Sequence, residues 1–248
     1  GAVLQSGSDA LASMPKAKEC IGILAPDRTL CLTVKTPPGS RRQWKAALPF
    51  LAENHTLPDP EENHVVPGVA SDSGQVPLIV TDKAWLQRIV AACRTANLPL
   101  RKIIPEVLLP PLVPGSWAVV WNGLGGFVHG GSSFGMMLDA GDENTCPLAL
   151  QLMLNNSSLP RPNKIEIRLM QNATVTEIPM PHWEGFPVPL LPGKAWDWRR
   201  ADISSDAVNL LAGELAPPYR PLEWWPKLRP AALILLSLLS IELLGSNL

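Results

Sequence analysis

Charge is the first thing this chain has little of. Only 17% of its 248 residues are charged, against about 25% in an average soluble domain. A disordered polyelectrolyte is thereby excluded, because that class joins low hydrophobicity to high net charge, and here 46% of residues are hydrophobic. The 21 basic residues balance 22 acidic ones to a net charge of -1. No global field draws such a chain to nucleic acid, and no basic–aromatic interleaving offers a local one. Cysteine is scarce too. Cys20, Cys31, Cys93 and Cys146 form no C-x-x-C pair and no cluster with histidine at zinc spacing. They read as small core hydrophobes in a reducing compartment. Proline, by contrast, is abundant: 27 residues, where an average chain carries about 5%. Helices must be short and connections many, since proline ends helices and is excluded from central strands. The length suits one large domain or two small ones.

Hydrophobic spacing gives the element order. Gly1 to Gly7 reads as a strand, which puts the natural start upstream and makes the chain a fragment. CIGILA (20–25) and TLCLTVKT (29–36) are β-rich, the second with strict alternation, and Pro26-Asp27-Arg28 between them predicts a hairpin. Ser40 is a candidate N-cap for a helix whose apolar face is Trp44, Ala47, Leu48 and Leu51, with a kink or stop at Pro49. The acidic, proline-containing stretch from Glu53 to Glu62 predicts a surface loop. QVPLIVT (75–81), a helix capped by Asp82 with Leu86, Ile89, Val90 and Cys93 on one face, and LPLRKII (98–104) predict a βαβ unit with a right-handed crossover. The proline cluster Pro105 to Pro114 reads as an inter-domain boundary. Beyond it, Trp117–Trp121 and Gly126–His129 flank Asn122-Gly123-Leu124-Gly125 as a hairpin, with Phe134–Leu138 as a third strand. Leu148–Leu154 predicts a helix, Lys164–Leu169 a strand, Pro179–Pro192 irregular structure and Ser204–Leu211 a short helix.

The end of the chain changes class. From Pro230 to Leu244 almost every residue is apolar, interrupted by Ser237, Ser240 and Glu242. Trp224 and Trp225 precede the run as interfacial anchors, with Arg220, Lys227 and Arg229 on the same side. This pattern predicts a transmembrane helix entered from the cytoplasm; the alternative is a C-terminal helix packed on the core.

No catalytic constellation emerges. His55, His64, His129 and His182 are scattered, and no Ser, His and acid arrangement follows from spacing. Asp59 to His64 reads as a solvated acidic surface rather than a metal site. The glycine loop at 122–126 continues into β-like sequence instead of the helix N-terminus a phosphate cradle needs, so it reads as a turn. No catalytic, cofactor-binding or metal-binding residue is assigned.

Three stretches resemble the cytoplasmic part of the type II secretion system protein L family. The first carries Pro37-Pro38-Gly39, then Leu48-Pro49-Phe50-Leu51, then Asp59-x-Glu61-x-x-His64. The second carries Ala84-Trp85-Leu86, Leu98-Pro99-Leu100 and Ile104-Pro105-Glu106. The third is Asn209-Leu210-Leu211-Ala212-Gly213-Glu214, ahead of the Trp pair and the apolar run. Residues 114–202 match weakly. The resemblance implies an α/β, two-lobed actin-like ATPase (RNase H-like) fold, with mixed sheets flanked by helices and the N-terminal strands truncated. Its first lobe would be residues 1–113 and its β-rich second lobe residues 114–203. A juxtamembrane segment (204–229) and a truncated transmembrane helix (230–248) would follow. It further implies a non-enzymatic scaffold of the bacterial inner membrane, single-pass, with this domain in the cytoplasm. Such a protein docks the secretion ATPase, protein E of the system, and pairs with protein M and a second copy of itself. Two candidate contact surfaces follow from residue type: the acidic loop Glu53, Asp59, Glu61 and Glu62, and an exposed strand edge. Trp224, Trp225, Lys227 and Arg229 would lie at the lipid interface. The alternative within this fold is an actin-like ATPase or pilus-assembly protein.

Overall fold

A computed structural model describes residues 3, 5–35, 47, 48, 50–56, 59–69, 74–131, 134–156, 159–171 and 178–217. Residues Gly1–Leu215 form one compact unit and Ala216–Leu248 a second. Trp44, Pro49 and everything from 218 onward, including Trp224, Trp225, Lys227, Arg229 and the apolar run, lie outside the described residues. Among the described residues no helix is long and apolar enough to cross a membrane.

The largest sheet is the one whose strands pair locally. Strands β6 (Ser116–Trp121), β7 (Gly126–Gly131) and β8 (Phe134–Leu138) form an antiparallel meander. The predicted turn between β6 and β7 is present, and the Asn122 carboxamide oxygen accepts from the amides of Leu124 (3.0 Å) and Gly125 (2.9 Å). Gly126 follows with φ 145°, and a Cβ there would collide with the Val120 carbonyl. After helix α2 (Leu148–Asn155), strand β9 (Lys164–Leu169) returns parallel to β6 and β10 (Leu190–Pro192) pairs parallel to β9. The resulting order is β10-β9-β6-β7-β8. All six residues of β6 are buried. Trp117, Val119 and Trp121 face a core with α2 and Trp183, whereas Val120 faces a second core. That period of two is what a central strand requires. The proline-rich stretch 179–192, expected to be irregular, ends in β10.

Elsewhere, four expectations are corrected. Strands β1 (Cys20–Leu24) and β2 (Leu30–Lys35) are not a hairpin. The Pro26–Arg28 turn delivers β2 to an antiparallel pairing with β4 (Gln75–Asp82), while β1 pairs parallel with β5 (Leu100–Pro105). The predicted βαβ unit is also rearranged. Helix α1 (Lys83–Thr95) is there, capped by the Asp82 carboxylate accepting from the Trp85 amide at 2.7 Å. However, β4 has β2 on one edge and β3 (Asn63–Pro67) on the other, so β5 has no place beside it and joins β1. The third correction is at 204–211, which is not helical; the reason lies in the side chain of Asn209, described below. The N-terminal strand expected within 1–7 is not formed among the described residues there.

Alternation along β4 divides its two faces. Val76, Leu78 and Val80 pack with Leu48 and Ala52, whereas Ile79 packs with Leu24, Leu86 and Ile104. The proline stretch is no exposed linker at its start. Glu106 and Val107 are buried, and Val107 joins a core that also contains Val120, Phe127, Trp196, Leu210 and Leu211. At Gly135 of β8 a Cβ would come within 2.8 Å of the Val107 carbonyl oxygen, so the glycine permits this close approach.

A candidate functional site where distant segments are fastened

The motif residues converge at the start of β3. Asn63 is buried, and its Nδ2 donates to the carbonyl oxygen of Asp59 (3.3 Å) and to Oγ1 of Thr56 (3.1 Å). Both acceptors lie in or beside the acidic loop, whose Glu53, Asp59, Glu61 and Glu62 are exposed. Two short 3₁₀ turns, Glu53–His55 and Pro60–Glu62, shape that loop. The next residue, His64, faces a segment 146 residues away: its Nε2 donates to the carbonyl oxygen of Leu210 at 2.7 Å. Partial burial holds the His64 imidazole below its ordinary value, which the bond to Leu210 offsets in part. The ring donates this hydrogen bond through Nε2.

Asn209 does on β5 what another strand would do. Its Oδ1 accepts from the Ile103 amide (3.0 Å) and from the Leu211 amide (3.0 Å), and its Nδ2 donates to the Arg101 carbonyl oxygen (3.4 Å). The Leu210 amide donates to the Ile103 carbonyl oxygen at 2.8 Å. An asparagine whose side chain satisfies three backbone groups, two of them on β5, cannot sit in a helix facing solvent, and this is why 204–211 is not helical. Leu210 is fully buried and Leu211 nearly so. Beyond them Lys83 Nζ meets Glu214 Oε2 at 3.1 Å.

A second fastening involves Glu106, at the end of Ile104-Pro105-Glu106. Its Oε1 accepts from Trp196 Nε1 at 2.9 Å. Burial raises the Glu106 carboxyl above its ordinary value, and the indole bond counters this only in part. His129 likewise bonds the Pro110 carbonyl oxygen through Nδ1 at 2.7 Å and is lowered by burial. Spacing alone predicts none of the pairings of His64 with Leu210, Asn209 with Ile103 or Glu106 with Trp196, because each joins residues far apart in sequence. The available signal was residue type: an Asn before a Leu-Leu pair and a His on a β-strand both carry donors that burial obliges to find partners.

Burial pushes the Cys31 and Cys146 thiols each up to about 11, far from thiolate chemistry near neutral pH. Among the described residues no group of three or more His, Cys, Asp or Glu is placed to hold a metal ion.

Residues 4–179 match the family model described as type II secretion system, protein L. The chain belongs to that family. Type II secretion system protein L of Vibrio cholerae is 26% identical over 124 residues, covering 50% of this chain and 30% of the relative. Its counterpart in Dickeya chrysanthemi is 28% identical over 91 residues, covering 36% of this chain and 22% of the relative. The chain thus spans less than a third of the length of these family members. Among solved structures, the cytoplasmic domain of EpsL, described as an inner membrane component of the type II secretion system of Vibrio cholerae, matches with a TM-score of 0.53 at 19% identity. That match covers 79% of this chain and 78% of the other, and it shows a shared fold. In this chain His64, Glu106, Asn209 and Leu210 each fasten a sequence-distant segment.

Proposed function

We propose that this chain is a mount of the type II secretion platform, a non-enzymatic part that holds the secretion ATPase, protein E, and ties it to the inner membrane. Family membership supports the assignment to the secretion system. The observation that carries the mechanism is the adjacency of Asn63 and His64. One pins the exposed acidic loop, and the other pins the segment from which the chain leaves the folded unit. A motor docked on Glu53, Asp59, Glu61 and Glu62 would pull on β3 and, through the His64–Leu210 bond, on the chain beyond residue 215. The path runs from the exposed loop through the buried Asn63 side chain and needs no reaction on this protein.

The finer architecture belongs to the same proposal. The lobes are residues 1–113 and 114–203 of an actin-like fold. An antiparallel β6-β7-β8 meander, followed by parallel β9 and β10 on the other side of β6, supports this for the second lobe. The apolar run 230–244 is the single membrane helix, with Trp224, Trp225, Lys227 and Arg229 at the lipid interface. Protein M and a second copy of the chain are its further partners.

The test is binding of the full chain in lipid nanodiscs to protein E. Charge reversal at Asp59 and Glu61 weakens binding, and the loss is larger at low salt. His64→Ala leaves that affinity unchanged while export falls. Unchanged affinity in the charge-reversed chain removes the loop from the interface, and phosphate release from ATP by the purified chain overturns the non-enzymatic role.

A further inference from the structure

Helix α2 has an exposed side among the described residues. The Asp139 carboxylate caps it, accepting from the amides of Leu148 (3.0 Å) and Ala149 (2.8 Å). Leu150, Met153 and Leu154 are buried against the large sheet. Leu148, Gln151, Leu152 and Asn155 fall at i, i+3, i+4 and i+7, and all four are exposed. The two leucines are 58% and 61% exposed, side by side on one face. Beside them opens a cleft of about 400 Å³, lined by Gln151 and Asn155 of the helix, Thr145 of the preceding turn, and Trp183, Glu184 and Phe186.

The walls of the cleft are fixed. Trp183 stacks edge-on against Trp121 at 5.6 Å and tilts against Phe186 at 5.4 Å. Its Nε1 donates to the Asp142 carbonyl oxygen (3.1 Å), and the His182 amide donates to that of Glu143 (2.6 Å). The acidic turn is thus bolted to the aromatic loop. The charged residue lining the cleft is acidic, Glu184. Asp142, Glu143 and Glu184 are exposed, while the sequence has no Lys or Arg between Lys102 and Arg161, nor between Arg168 and Lys194. The amides of Asn144 and Thr145 hold the Asp142 carboxyl below its ordinary value, so it stays ionised.

We propose that the outer face of α2 and the adjoining aromatic cleft form a docking surface for a basic, apolar-faced helical segment of a partner protein. Leu148 and Leu152 supply the apolar stripe that such a helix covers, the cleft takes one of its larger side chains, and the acidic rim selects Lys or Arg at its edges. An anionic lipid surface or a nucleic acid meets the wrong charge here. The surface lies on a different element from the acidic loop 53–62 and does not depend on the reading given to that loop.

The probe is a twelve-residue peptide of leucine and lysine at helical spacing, with glutamate in place of lysine as control, titrated into the full chain in nanodiscs. Leu152→Gln and Glu184→Lys are compared with the parent. Both side chains are exposed, so neither change disturbs the core, and peptide taken up by lipid or by residues 216–248 cancels in the comparison. The expected result is saturable binding of the lysine peptide that weakens at least tenfold in each variant and falls with added salt. Equal affinity in parent and variants, or equal binding of the glutamate peptide, overturns the proposal. So does a parent chain that self-associates through this face, seen as a dimer in sedimentation that Leu152→Gln dissociates.

Discussion

In the sheet β10-β9-β6-β7-β8, strands β6, β7 and β8 each pair with their neighbour in sequence, and the turn between the first two is closed by one asparagine. In the two-strand sheet β1-β5, partners such as Cys20 and Leu100 are 80 positions apart, and the open side of β5 is occupied by Asn209 and Leu210, a further hundred residues on. The first region holds itself together through local turns and apolar alternation. The second depends on a few side chains that reach across the chain. Those side chains include His64, Glu106 and Asn209, each bonded to a segment about 90 or more positions away. In this protein these side chains fasten distant segments.

The sharpest way to break this contrast is to remove the anchor of the late segment. Leu210→Ala empties a fully buried position and is expected to cost about 3 kcal/mol. Leu124→Ala, in the local hairpin turn where Leu124 is 72% exposed, should stay within about 0.5 kcal/mol. Urea denaturation of both chains checks the pair, and equal midpoints would erase the distinction.

This contrast also explains what could be read in advance. The β6–β7 hairpin, β8, α2, β9 and the Asp82-capped helix α1 were legible because their signals are local: alternation, a turn asparagine, a capping carboxylate. The β1–β2 hairpin was the wrong inference from a good local signal. Pro26-Asp27-Arg28 does turn the chain, but β2 finds a better partner in β4, with Val76, Leu78 and Val80 closing a core on Leu48 and Ala52. Competition between strands for edges is a property of the whole fold, and residue order does not record it. The sequence at 204–211 reads as a short helix ahead of Gly213. The decisive fact, that Asn209 completes the hydrogen bonding of β5, requires knowing which edge is open. The acidic loop was legible as exposed, and the mount beneath it was not.

A smaller effect sharpens the account at Glu106. Its carboxyl is raised in the folded chain, so folding favours the protonated form. That preference costs nothing below the ordinary carboxyl range, and stability declines as pH rises through the raised value. Glu106→Gln keeps an acceptor for Trp196 without the buried charge. It should stabilise the protein by about 1 kcal/mol or less at pH 8 and leave it unchanged at pH 4, as thermal melts at the two pH values would register. A loss of stability at pH 8 would mean that the charged hydrogen bond outweighs desolvation. The smallest effect belongs to Lys83. Its partner Glu214 is 76% exposed, and exposed pairs contribute about 0–1 kcal/mol, so Lys83→Ala should shift the urea midpoint barely at all. A large shift would promote this ion pair from the rim of the junction to its centre.

The central claim, that a few side chains fasten the late segment to β5, is tested most directly by amide hydrogen exchange on Asn209→Ala. The amides of Ile103, Leu210 and Leu211 are expected to lose protection together, while those of Ala118 to Val120 in the locally built sheet keep theirs. Undiminished protection at Leu210 and Leu211 would contradict the account, since the segment would then be held by something other than Asn209.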